Sequence, residues 1–330
     1  MQSYYNGINF SDRNELQAEL TELITSTHRN QLTYTPGVWN ALLQSDLDPE
    51  DPSKVLLIYG FDDNGDLKNH RTRDKELRNT GGCGNCNGRW EREHVFAQSL
   101  ATPSLSTSEP GTGTDAHNLR AVDRQMNSYR SNNAYTNFTG NATIVNGSGF
   151  YPGDEWIGDV ARVIMYMYVR YETQCLPNNI AFNSTNISSP VMPDLFLNWN
   201  RLDPPSEFEV VRNEVIATHQ GNRNPFIDNP YLATLIWGGE NAVNFWGDFM
   251  NTSDQNIKDL EVVVTPNPTS DEVTIINSRF KSANLYTING ELIQSNLKNK
   301  FSIAQHPKGV YIIAIKLDNG IIVSKKIIKK

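Results

Sequence analysis

Arg92-Glu93-His94-Val95-Phe96, followed by Asp115-Ala116-His117-Asn118-Leu119 and then Asn127-Ser128-Tyr129-Arg130-Ser131-Asn132, reads as strand, loop, strand, helix. The segment brings a carboxylate, an imidazole and a carboxamide onto one small motif. An imidazole has an unperturbed pKa of about 6.5, so His94 can take a proton from water at ordinary pH and is the candidate general base. A phosphodiester is an anion and repels hydroxide; a divalent cation on its non-bridging oxygen offsets that repulsion. Mg²⁺ prefers oxygen donors and keeps several waters, so one or two protein groups suffice. Glu93 and Asn127 are the candidate ligands, for Mg²⁺ first and Mn²⁺ or Ca²⁺ as alternatives. Neighbouring residues on a strand point to opposite faces. Glu93 and His94 can therefore serve one site only if the strand ends or bulges there.

Outward from this motif, the 330-residue chain is long enough for a large domain and a small one, each with a core. Its net charge of −8 is unevenly spread. Residues 1–256 carry 18 Lys/Arg against 31 Asp/Glu, residues 257–330 carry 11 against 6, and residues 68–130 carry 10 against 7. That balance excludes a protein coating DNA through a broad basic face and leaves room for a local basic cleft. No apolar run is long enough to span a membrane. The start, Met1-Gln2-Ser3-Tyr4-Tyr5, lacks the basic and apolar stretches of a leader, and Met1 is read as standing in for a removed one. Cys83, Cys86 and Cys175 permit one disulfide without revealing the pair.

Asp12 and Glu15 have capping-box spacing ahead of Leu16, Leu20, Leu23 and Ile24, which predicts a first helix. Val55 to Tyr59 predicts a buried strand, 154–171 a long core helix, and 229–237 a short one. Pro204-Pro205-Ser206, with Glu209 completing a capping box, opens a helix that stops near Gly221. Residues 251–261 read as a linker. Beyond it lie short β runs at 262–264, 273–276, 285–288, 311–317 and 321–328. Asn289-Gly290 and Asn319-Gly320 mark hairpins. The expected architecture is α+β: a mainly helical domain over 1–250 built around the strand-strand-helix motif, then a small all-β sandwich over 262–330.

These motifs together resemble the endonuclease I family of the His-Me finger (ββα-metal) superfamily, and Gln220-Gly221-Asn222-Arg223-Asn224-Pro225-Phe226 resembles a late motif of the same family. The resemblance implies His94 as base at the end of the first strand, Glu93 as one metal ligand, and Asn127 as the other on the following helix. His117, one residue after Ala116 in an expected strand, is read as a hydrogen-bonded structural group rather than a second base, and Asp115 and Asn118 as fixing loop and strand geometry. Some relatives carry a phosphate-binding arginine between the two strands, whereas residues 95–114 contain no Arg or Lys here. Arg130, one helical turn from Asn127, is the favoured substitute, with Arg92, Arg120, Arg124 and Arg223 as further substrate contacts. Cys83-x-x-Cys86 could in principle join a zinc site, but a disulfide in an oxidising compartment is the preferred reading.

Residues 262–330 resemble the sorting domain of the type IX secretion system. The likeness rests on Thr265-Pro266-Asn267-Pro268-Thr269, the Leu285 to Gly290 hairpin, Lys308-Gly309-Val310-Tyr311 and the Lys-rich end. The resemblances imply a secreted or cell-surface, Mg²⁺-dependent, non-specific endonuclease leaving 5′-phosphate ends. Its expected partners are DNA, with RNA also in view, held through backbone phosphates, and the secretion machinery, with no membrane span. The alternatives are a non-catalytic surface adhesin on a degenerate scaffold and a phosphoesterase acting on small esters.

Overall fold

A computed structural model describes residues 2–247, 262–318 and 322–330. The linker expected at 251–261 and the Asn319-Gly320 turn lie outside the described residues. In chain order, the first part runs α1 (Leu16–Thr27), α2 (Trp39–Ser45), β1 (Lys54–Leu56), β2 (Thr72–Asp74), β3 (Trp90–His94), β4 (Leu119–Asp123) and α3 (Arg124–Arg130). It continues with β5 (Ala134–Tyr135), β6 (Thr143–Val145), β7 (Gly149–Tyr151), α4 (Ile157–Tyr171), α5 (Asp194–Leu202), α6 (Glu207–Gln220), α7 (Pro225–Asp228) and α8 (Tyr231–Trp237). Helices thus enclose small sheets, as the patterning implied.

Helix α1 buries Leu16, Leu20 and Ile24, each worth about 1.5–3 kcal/mol of transfer free energy. Its capping box does not form. Asp12 instead accepts from the Asn14 amide, an Asx-type turn that competes with capping. The box at Ser206 and Glu209 does form, and Gly221 ends α6 at φ 97°, a backbone state open to glycine. The predicted 55–59 strand is ladder-paired only through Leu56. Beyond it the buried Ile58 reaches across to bond the Ala121 carbonyl.

Helix α4 is buried along most of its length and forms the axis of the main core. A burial this complete takes Asp159 and Arg162 out of water, and both find partners. Arg162 makes paired 2.7 and 2.6 Å bonds to Glu209, and Asp159 receives Arg120 at 2.7 Å. A second core, with Trp39, Leu42, Val55, Leu57, Trp90, Leu119 and Ala121, ties α2 and β1 to the β3–β4 hairpin.

The second part holds β8 (Val263–Thr265), β9 (Glu272–Ile276), β10 (Phe280–Thr287), β11 (Leu292–Leu297), β12 (Lys300–Ser302), β13 (Gly309–Leu317) and β14 (Ile322–Lys329). They form a four-stranded sheet ordered β11-β10-β13-β14 and a three-stranded sheet ordered β12-β9-β8. The four-stranded sheet packs on α6, where Val211 and Val215 meet Tyr286, Ile312 and Ala314. No helix among the described residues is long and apolar enough to cross a membrane.

Candidate active site

Strands β3 and β4 pair antiparallel with regular register, and His94 opposite Leu119 is the last rung. The strand therefore ends at the functional residues rather than bulging before them. The chain then turns directly from β4 into α3, because the Asp123 side chain accepts the Gln125 and Met126 amides at 2.7 and 3.0 Å. Asn127 and Arg130, one turn apart on α3, consequently face the end of β3. A cavity of about 750 Å³ opens there, lined among others by Tyr34, Glu91, Arg92, Glu93, His94, Gln98, Asn127 and Arg130.

His94 is 8% exposed, and its Nε2 lies 2.8 Å from the Gly113 carbonyl. A carbonyl only accepts, so Nε2 carries the hydrogen and Nδ1 keeps its lone pair. Burial pushes the imidazole down to about 4; the Gly113 bond opposes this, while Arg92 and Arg130 add to it. The group is thus neutral, with a free lone pair on Nδ1, across the physiological range. Gly113 is required for this approach, since a Cβ there would lie 2.1 Å from the Ser106 carbonyl oxygen.

Glu93 is 2% exposed and accepts on one oxygen from Tyr59 at 3.0 Å and from Arg130 at 3.1 Å. Burial raises its carboxyl to about 7 against the pull of Arg130 and Tyr59. Arg130 also donates to the His94 and Val95 carbonyls at 3.1 and 3.0 Å, so it clamps the end of β3. Asn127 donates at 2.7 Å to Glu91, the next carboxylate on the Glu93 face of the strand. Glu91 also receives Asn79 at 2.7 Å and pairs with Arg124 at 3.2 Å. Glu91 escaped the sequence reading, although strand alternation with Glu93 was the signal that could have found it.

The supporting residues lie behind this cavity. Asp115 accepts from Tyr166, Tyr171 and Gln220 at 2.7, 2.9 and 2.9 Å. Asn118 brackets Phe96, accepting its amide at 2.7 Å and donating to its carbonyl at 3.3 Å, which fixes the chain just past His94. His117 sits in a 3₁₀ turn, Ala116–Asn118, rather than in a strand, its ring 4.5 Å from that of Tyr166.

The arginines divide. Arg92 and Arg130 line the cavity, and Arg124 reaches it through Glu91. Arg120 and Arg223 are not brought there: Arg120 is buried between Asp46 and Asp159, and Arg223 between Glu214 and Asp228. Cys83 and Cys86 form the disulfide and Cys175 is a buried thiol, so the CxxC sulfurs are not available to zinc. Among the described residues no group of three or more His, Cys, Asp or Glu gathers as a metal cluster. The residues that could hold a cation are instead a mixed set, the Glu91 and Glu93 carboxylates and the Asn127 carboxamide, which line one open cavity. Hard oxygen donors with room for water suit Mg²⁺ better than zinc.

Comparison with known proteins places these observations. The model of the family described as Endonuclease I matches residues 13–231, and that of the secretion system C-terminal sorting domain matches residues 263–330. An extracellular ribonuclease of Bacillus subtilis (strain 168) is 37% identical over 247 residues, which cover 71% of this chain and 78% of the relative. An extracellular ribonuclease of Bacillus amyloliquefaciens is 36% identical over 248 residues, covering 72% and 78%.

Proposed function

The chain belongs to the endonuclease I family and ends in a type IX secretion sorting domain, and from that premise we propose that it is an exported nuclease hydrolysing phosphodiester bonds of RNA and DNA with water as nucleophile and His94 as base. The observation that carries the reading is the His94 ring, held by Gly113 in the tautomer that accepts a proton on Nδ1, in the same cavity as Glu91, Glu93 and Asn127.

His94 would take the proton of the attacking water as the oxygen bonds to phosphorus. Burial disfavours the charged form of the Glu93 carboxyl, and a cation bound beside it and Glu91 would restore that charge. A divalent cation held by these carboxylates and by Asn127 would supply positive charge for the phosphate oxygens and the departing alkoxide. Arg130 acts behind them, positioning Glu93 and the carbonyls of His94 and Val95. Contacts to backbone phosphates give little sequence preference. The name extracellular ribonuclease, carried by both relatives, supports RNA as a substrate beside DNA.

Incubation of plasmid and of ribosomal RNA with Mg²⁺ or with chelator tests this. Metal-dependent cutting of both that His94→Ala abolishes is expected. Cutting that persists without His94 removes the base, and no cutting by the wild type leaves the adhesin. Faster turnover of a simple diester than of polymer would favour the small-ester phosphoesterase.

A further inference from the structure

Among the described residues, Arg92 is the cavity's arginine without a carboxylate partner. Strand alternation puts it on the same face of β3 as His94, two residues away. Its guanidinium carbon lies over two aromatic rings, 3.4 Å from the centre of Tyr34 and 4.2 Å from that of Trp39. The Tyr34 ring in turn lies within 27° of parallel to the His94 imidazole, at 5.9 Å. Nη1 is anchored on the Tyr34 carbonyl and on Thr35 Oγ1. Nε and Nη2 have no hydrogen-bond partner among the described residues and are not sealed from solvent.

The other arginines are engaged. Arg130 donates to Glu93 and to two carbonyls, Arg124 pairs with Glu91, and Arg120 and Arg223 are buried between carboxylates. Residues 95–114 offer no cation of their own. We infer that Arg92 is the phosphate-binding residue of this site, presenting its open Nε–Nη2 edge to a non-bridging oxygen of the phosphodiester beside His94. Contact with these rings favours phosphate capture, because it holds the guanidinium without using Nε or Nη2 and leaves the charge uncancelled. Tyr34 and Trp39 are then positioning residues, acting through Arg92.

The inference rests on the nuclease reading, so its test separates the two. Cleavage is compared in wild type, Arg92→Met, Arg92→Lys and His94→Ala, and binding of a labelled oligonucleotide with Mg²⁺ present is titrated against salt in His94→Ala alone and combined with Arg92→Met. Methionine keeps an apolar stem against the rings while removing the charge, and melting of each variant reports the fold. The expected result is a tenfold or greater rise in KM for Arg92→Met, a smaller one for Arg92→Lys, and weaker binding whose log–log salt slope is shallower by about 0.7–0.9. Unchanged binding and slope in the combined variant overturn the inference. So does lower activity that tracks lower melting with the slope intact, which would make Arg92 a structural residue. If the wild type cuts nothing the nuclease reading fails, and the oligonucleotide titration still decides Arg92.

Discussion

Burial, with Arg92 and Arg130 adding to it, holds the His94 imidazole neutral before any substrate arrives. Its replacement by alanine is expected to lower cleavage by about 10²–10⁴-fold, the span of general-base contributions, with the melting curve preserved; initial rates of plasmid nicking measure it. Arg130 is a different kind of residue. It is 1% exposed and pairs with Glu93, itself 2% exposed, so Arg130→Met leaves a buried carboxylate without its cation. A loss of about 3–5 kcal/mol is expected in denaturant unfolding. His117 gives the pH response. Burial lowers its imidazole to about 4, while in the unfolded chain it takes a proton below about 6.5. Between those values the unfolded chain holds more protons on this residue, so the His117 contribution to stability falls as pH drops through that window and is level above it. The melting temperature of wild type relative to His117→Gln should therefore decline from about pH 6.5 to 4.

At the scale of elements, the site depends on the loop before β4 as much as on β3. The Gly113 carbonyl reaches His94 only because no side chain stands between that loop and Ser106. Gly113→Ala should therefore displace the carbonyl and lower the cleavage rate at least about tenfold, read alongside the pH–rate profile, which shifts if the imidazole loses its partner. Much of this hairpin and helix was legible in the chain, because Glu93, His94 and Asn127 lie on elements contiguous in sequence and their geometry follows from strand end and helix turn. The Ser206–Glu209 cap was legible for the same local reason. What was not legible comes from afar. Tyr34 and Trp39 arrive from the segment opening α2, and Asp46, Asp159 and Asp228 arrive to bury Arg120 and Arg223. Basic residues near a motif in sequence carry no mark of which will be neutralised by a carboxylate folded in from elsewhere. Glu91 is the exception: its alternation with Glu93 was there to read.

Over the whole molecule, catalysis and export sit on separate parts. The sorting domain touches α6 through Asn284, which donates to Glu207 at 2.8 Å, and through the Val211–Val215 patch, none of which lines the cavity. Chain truncated after residue 247 should therefore keep kcat/KM within about twofold of the full protein, as distant, unshared sites rarely couple; parallel assays on RNA and plasmid check it. The charge is divided in the same way, with basic excess in the tail and acidic excess in the body. Removal of the tail leaves a more anionic particle and uncovers two valines on a helix whose Glu207 and Glu214 then lose tail partners. A chain without its tail would therefore expose Val211 and Val215 to water and gain net negative charge, so its solubility would rest on that charge.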